Sequence, residues 1–173
     1  MDPWVIGTMA RRPVYYVAKR ELFKYRPVAW FISSLGAFPV ARGQGDDDMM
    51  QTARALLERG EIVLLFAEGT RTRPGPLGVP KRGFARLALE TGATIVPLAI
   101  IGTERVRRRF WLAPEPITVR AGSPVTVERA PGFTPDDATE LTAQVWQQVE
   151  MLWCSIGGTP SPAGERVDLR CCG

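Results

Sequence analysis

One short segment combines residue types that are suited to holding a phosphate group. Directly after the apolar run IVLLFA, the chain carries a carboxylate, a glycine, a hydroxyl and two guanidinium groups, at Glu68, Gly69, Thr70, Arg71 and Arg73. Arginine presents a planar fork of donors that matches phosphate oxygens. Glycine lets the backbone approach a ligand closely, and a threonine hydroxyl adds one more donor. The segment therefore predicts a phosphate-binding loop that contains one carboxylate.

Other interpretations of the basic residues stay open at this point. An arginine-rich turn can simply be a solvated surface. A second basic run, ERVRRRFW at residues 104–111, could contact nucleic acid, but it lacks any recognisable module and we expect no nucleic-acid partner. Arginine beside Phe110 and Trp111 also suits a lipid interface. No G-x-x-x-x-G-K-[ST] string occurs, which excludes a P-loop.

The composition restricts the chemistry further. The 173-residue chain contains no histidine, so its own residues cannot form a Ser–His–Asp or Cys–His system, and the commonest metal ligand is missing. Of its three cysteines, Cys154 falls in a helical pattern, while Cys171 and Cys172 lie in the last three residues. We therefore expect neither a disulfide framework nor a metal site, and a reducing, cytoplasmic setting fits best.

The charge and the hydropathy favour an anionic partner at a surface. The formal net charge is +4, which is compatible with phosphorylated metabolites and anionic lipids. No secretory signal is visible, and no window reaches the roughly 18 apolar residues that a membrane-spanning helix needs. We expect the chain to lie against a membrane rather than to cross it.

The elements that must position the loop alternate along the chain. Apolar, β-branched runs predict strands at residues 13–19, 37–40, 62–67 and 94–101, and helical spacing predicts helices at 28–35, 46–59, 83–92 and 134–153. Glycines 60 and 92 should stop two of these helices, and Thr134 is a candidate N-cap of the last one. Residues 117–122 and 124–128 resemble one or two further strands.

Alternating strands and helices with short connections predict parallel βαβ units. We expect one α/β domain over residues 1–155, with a mostly parallel central sheet and helices on both faces. A flexible glycine- and proline-rich tail should follow over residues 156–173. Ligands bind outside the carboxyl ends of such strands, so Arg42, after the second strand, should share one mouth with the loop. Lys81 and Arg82 add charge at the start of the next helix.

Three blocks in this order resemble the phospholipid/glycerol acyltransferases of the 1-acylglycerol-3-phosphate acyltransferase type. The third block of that family is similar to FAEGTR here, at residues 66–71, and the second to GAFPVAR, at residues 36–42. The fourth is similar to TIVPLAI, around Val96 and Pro97. The similarity covers roughly residues 2–153. One small departure is Ala67, where proline is usual in the family.

The resemblance implies a fold and a reaction. The fold would be that of a glycerol-3-phosphate acyltransferase. The reaction would transfer a fatty acyl group from acyl-CoA or acyl carrier protein to lysophosphatidate, forming phosphatidate in phospholipid biosynthesis. No cofactor is implied beyond the acyl thioester co-substrate. The expected location is cytoplasmic, peripheral to the inner face of the cytoplasmic membrane, because the substrates are lipids.

The resemblance also implies roles for individual residues of this chain. Those expected to hold the acceptor's phosphate are Arg42, Gly69, Thr70 and Arg71. The candidate catalytic residues are Asp2 and Glu68. Those of possible secondary importance are Gly36, Phe38, Lys81, Arg82 and Pro97.

The first block of the family departs most from this chain. It is a histidine, four residues and an aspartate, in which the histidine takes the proton of the attacking hydroxyl. Asp2 and Pro3 match its end, so the histidine would lie four positions before Met1. We expect that Met1 is an internal methionine of a longer protein. A truly truncated, inert product and a non-catalytic phosphate- or phospholipid-binding module are the alternatives. Losing a general base typically removes about 10²–10⁴-fold in rate, so the chain as given should be weak or inactive.

Overall fold

The computed structural model describes residues 6–7, 9–10, 12–19, 37–40, 45–69, 77–102 and 117–158. The chain forms two compact units, Met1–Phe66 and Ala67–Gly173. The predicted helix at 28–35 lies outside the described residues, as does the chain from residue 159 onward. Among the described helices, none combines the length and the apolar character needed to cross a membrane.

The first unit is built on a parallel sheet. Its elements are β1 (Val14–Lys19), β2 (Ala37–Val40), α1 (Gly45–Glu58) and β3 (Ile62–Leu64). The strand order is β2-β1-β3, and both pairings are parallel. Helix α1 contacts β2 and β3. The alternation of strand and helix thus produces the parallel pairing that the sequence predicts, and the α/β class is confirmed.

A small core holds this unit together. Its buried side chains include Val14, Tyr16, Ala53 and Leu56. Burial of Tyr16 disfavours its phenolate and so raises the pKa of this group. Strand β3 is shorter than predicted: only Ile62–Leu64 are strand, and 47% of Phe66 is exposed. The remaining apolar residues of the 62–67 run lead out of the sheet toward the predicted loop.

The second unit combines two helices with an antiparallel pair of strands. Its elements are α2 (Gly83–Thr91), β4 (Leu98–Ile101), β5 (Thr118–Ala121) and α3 (Pro135–Ser155). Strands β4 and β5 pair antiparallel, and α3 packs on both α2 and β4. Among the described residues of this unit, the buried apolar side chains include Ala85, Leu87, Ala88, Ala99, Val127, Ala138 and Val145. The strand predicted at 94–101 is shorter than expected, at Leu98–Ile101, and its described pairing with β5 is antiparallel rather than part of a parallel unit.

The helix ends follow the local signals in the sequence. Gly60 and Gly92 adopt left-handed backbone conformations, with φ of 74° at each, and end α1 and α2 as expected for glycine. Helix α3 begins with a capping box: the Asp137 N–H donates to Thr134 Oγ1 at 3.3 Å, and the Thr134 N–H donates to Asp137 Oδ2 at 2.7 Å. The predicted N-cap at Thr134 is confirmed.

The C-terminal end of α3 uses the first residues that the sequence places in the tail. The Gly157 N–H donates to the Cys154 carbonyl, and the Gly158 N–H donates to the Trp153 carbonyl. With φ of 88° at Gly157, this is the double hydrogen bond of a Schellman motif. Residues 156–158 therefore close the helix.

Candidate functional site

The loop that follows β3 is tied to the residues that lead into α2. The backbone N–H of Lys81 donates to the Ala67 carbonyl at 2.7 Å. This bond joins positions fourteen residues apart in sequence. Glu68 and Gly69 directly follow Ala67 in the chain, and Glu68 is half-buried. The start of the predicted loop is therefore held beside the N-terminal end of α2.

Gly69 is held in a conformation and a contact that both suit glycine. Its φ is 69°, in the left-handed region where a side chain is strained. A Cβ placed on it would lie 2.7 Å from Cε, 2.8 Å from Cδ and 2.9 Å from Nζ of Lys81. The side chain of Lys81 thus lies against the backbone of the loop, in the space that a side chain at residue 69 would fill.

The second basic residue before α2 points elsewhere. Arg82 Nη1 donates to Thr139 Oγ1, in the first turns of α3, at 3.3 Å. Arg82 is also the N-cap residue of α2, but it makes no side-chain capping bond. The two adjacent cations, which the sequence groups together, therefore have different neighbours: Lys81 lies at the loop and Arg82 contacts α3.

Pro97 lies at an irregularity of the β4–β5 ladder. Its side chain is buried, and its carbonyl accepts a hydrogen bond from the Gly122 N–H at 2.9 Å. Ile95 pairs with Val125, whereas Leu98 pairs with Ala121. Two residues on one strand thus oppose three on the other, which is a β-bulge. A proline has no N–H to donate and fits such a position.

The other predicted site residues differ in what the structure shows of them. Phe38 lies in β2, where its backbone is in register with Val17. The remaining candidates lie outside the described residues: Asp2, Gly36, Arg42, Thr70 and Arg71. Their assignment to the site stays a prediction. The described part of the chain holds no cluster of three or more metal-ligating side chains.

Sequence reasoning identified Gly69 and Lys81 separately but missed their contact. The two residues are twelve positions apart, and no local pattern in the sequence pairs them. The bulge opposite Pro97 was missed for the same reason, because it depends on the register between two strands. A glycine followed by serine and proline at residues 122–124 is the signal that could have indicated it.

Comparisons with known proteins extend these observations. A sequence model of the acyltransferase family matches residues 1–101. The chain is 37% identical over 133 residues to a 1-acyl-sn-glycerol-3-phosphate acyltransferase of Limnanthes douglasii, a match that covers 74% of this chain and 47% of that one. It is also 37% identical over 98 residues to the Bacillus subtilis enzyme of the same name, covering 56% of this chain and 48% of that one.

A solved structure has a similar fold. It is the crystal structure of the 1-acyl-sn-glycerophosphate acyltransferase PlsC from Thermotoga maritima, with a TM-score of 0.64 and 23% sequence identity. The similarity covers 86% of this chain and 59% of that chain. The chain spans about half the length of the curated relatives described above.

Proposed function

Because the chain belongs to the acyltransferase family, we propose that it carries the acceptor site of an enzyme that transfers a fatty acyl group to lysophosphatidate and so forms phosphatidate. The acyl donor would be acyl-CoA or acyl carrier protein. The observation that carries the proposal is the match over residues 1–101, which includes the glycine- and arginine-containing loop. The geometry at Gly69 and Lys81 supports it, since a cation lies against the loop backbone.

The loop has the properties that a phosphate monoester requires. Such a group carries up to two negative charges and accepts hydrogen bonds through three oxygens. Thr70 and Arg71 supply a hydroxyl and a guanidinium group in the two positions after Gly69, and arginine can bind phosphate through two parallel bonds. Arg42 follows β2 and is proposed to complete the set, with the net charge of +4 favouring an anionic ligand.

The proposed reaction forms an ester bond and breaks a thioester bond. The free hydroxyl of lysophosphatidate attacks the thioester carbonyl, the thiol leaves, and a base must accept the hydroxyl proton. Asp2 is proposed to orient that base, and Glu68 to act beside the acceptor. The 173 residues contain no histidine, and a carboxylate is a weak base for the proton of a hydroxyl group. We therefore expect slow or no transfer by these residues alone.

A second candidate function is binding of the phosphorylated lipid without chemistry, since the contact of Lys81 with Gly69 would serve a phosphate group whether or not a reaction follows. Both functions require the same phosphate contacts, so acceptor binding tests their common part. Calorimetric titration with a soluble short-chain lysophosphatidate should give saturable binding. Monoacylglycerol of the same chain length, which lacks the phosphate, should bind much more weakly.

Arg71→Ala should weaken lysophosphatidate binding by about tenfold or more, because it removes a charge-assisted contact with the phosphate. Arg120→Ala provides the matched control, since Arg120 is an exposed arginine on β5. It should leave the affinity nearly unchanged. Equal loss in both variants, or equal affinity for the ligand without phosphate, would contradict a phosphate site at this loop.

We further propose that the protein works at the cytoplasmic face of the membrane, because its acceptor and product are lipids. Basic residues and exposed apolar side chains favour binding to anionic bilayers. Among the described residues, Val79 is the most exposed large apolar side chain, with 77% of its surface exposed. Co-sedimentation with vesicles that contain phosphatidate, compared with neutral vesicles, tests this location. Equal binding to both would argue against it.

A further inference from the structure

The side chain of Lys81 has a definite position relative to the loop, although it is exposed to solvent. Three of its outer atoms, Cδ, Cε and Nζ, lie within 2.9 Å of the place where a Cβ of residue 69 would be. The long apolar stem of a lysine can cover backbone while its ammonium group stays in water. In the structure the ammonium group therefore lies next to Gly69.

The main chain fixes both residues of this contact. The Lys81 N–H donates to the Ala67 carbonyl at 2.7 Å, two residues before Gly69. Lys81 directly precedes Arg82, the N-cap of α2. A movement of the Lys81 backbone away from Ala67 would therefore break this hydrogen bond.

Arg82, the basic residue next to Lys81, has a different side-chain contact. Arg82 is exposed to solvent like Lys81, but its guanidinium group donates to Thr139 on α3. Of these two adjacent basic residues, only Lys81 lies at the loop. The sequence alone does not distinguish the roles of these two residues.

We propose that Gly69 and Lys81 act as a pair in acceptor binding: the missing side chain at Gly69 makes the space from which the Lys81 ammonium group contacts the acceptor's phosphate. This inference rests on the proposed function and adds a residue outside the loop to it. Gly69 is then a positioning residue that acts through Lys81. A lysine suits this task because its ammonium group is a compact charge with three donors on a flexible stem.

The test is a double-mutant cycle on the affinity of the 173-residue chain for short-chain lysophosphatidate. Lys81→Met keeps the stem and removes the charge, and Kd should rise about tenfold. Gly69→Ala fills the space of the lysine end and should raise Kd by a similar factor. The double variant should be no weaker than the weaker single variant, because both changes remove the same contact.

Two control variants separate the effect of this pair on Kd from the general effects of removing a charge or of adding a side chain to a glycine. Arg86→Met removes an exposed charge one turn further along α2 and should change Kd less than twofold. Gly132→Ala places a side chain at φ of 92° with no neighbour within 4 Å. It should lower the urea midpoint about as much as Gly69→Ala does, without changing Kd.

The possible outcomes separate a failure of the Gly69–Lys81 proposal from a failure of the proposed function. Saturable binding that is insensitive to Lys81→Met would overturn the pair and leave the loop site in place. Independent, multiplicative losses in the double variant would also overturn it, because the two residues would then act separately. No phosphate-dependent binding by the unchanged chain would overturn the proposed function itself, and the pair with it.

Discussion

Gly122 shows at the scale of one residue how a missing side chain determines packing. A Cβ placed on it would lie 3.0 Å from Cδ1 of Leu152 and 3.6 Å from Cβ of Pro97. Helix α3 thus packs directly over the bulge opposite Pro97. The proline of the fourth sequence block and the glycine of the partner strand are therefore parts of one arrangement.

Gly122→Ala should destabilise the protein by about 1 kcal/mol, because an added methyl group in a well-packed contact forces its neighbours to shift. Urea unfolding measures this change. Gly7→Ala is the comparison at an open position: no atom lies within 4 Å of an added Cβ, and alanine in its helical position should keep or slightly raise stability. Equal stability of the two variants would show that Leu152 adjusts freely.

Helix α3 shows at the scale of an element how local residues set a boundary. Thr134 and Asp137 bond each other's backbone N–H groups, and Thr134 is recognisable in sequence as a candidate N-cap. The hydrogen bond from the Thr134 backbone, together with that from its hydroxyl, lowers the pKa of Asp137. The negatively charged form of this carboxylate is thus the one that stabilises the helix start.

The stability that Asp137 contributes should therefore depend on pH in a defined direction. Its pKa in the folded state is lower than in the unfolded state, so folding is favoured above the ordinary value near 4, and this contribution is lost as pH falls through the lowered value. Urea unfolding of the protein and of Asp137→Asn between pH 6 and pH 2 should show a stability difference that shrinks at the acidic end.

Asp136→Asn is the control for this experiment, because it keeps the capping box intact. It should retain the acid-dependent contribution of Asp137. A difference between wild type and Asp137→Asn that stays constant over the whole pH range would contradict the role given to the capping box.

At the scale of the whole molecule, the predictable features are those encoded by neighbouring residues. The glycine stops at Gly60 and Gly92 and the cap at Thr134 each depend on a few consecutive positions, and the structure has them where the sequence indicates. The apolar strands are found as well, but β3 and β4 are shorter than the apolar runs that predict them. The contact of Gly69 with Lys81 and the bulge at Gly122 depend on positions that only folding brings together. For that reason the composition of the loop is enough to predict a phosphate site, while the contact of its glycine with Lys81 could not be predicted.

Acyl transfer is the most direct test of the central proposal, because the chain matches the acyltransferase family but contains no histidine among its 173 residues. The measurement is thiol release from acyl-CoA in the presence of lysophosphatidate. It compares the 173-residue chain with a chain extended at its N-terminus so that a histidine lies four positions before Met1, and with the same extension carrying alanine there. We predict release by the histidine-bearing chain at a rate about 10²–10⁴-fold above the other two. Folded, lysophosphatidate-binding protein that stays inactive with the histidine present, whether acyl-CoA or acyl carrier protein is the donor, would contradict the account.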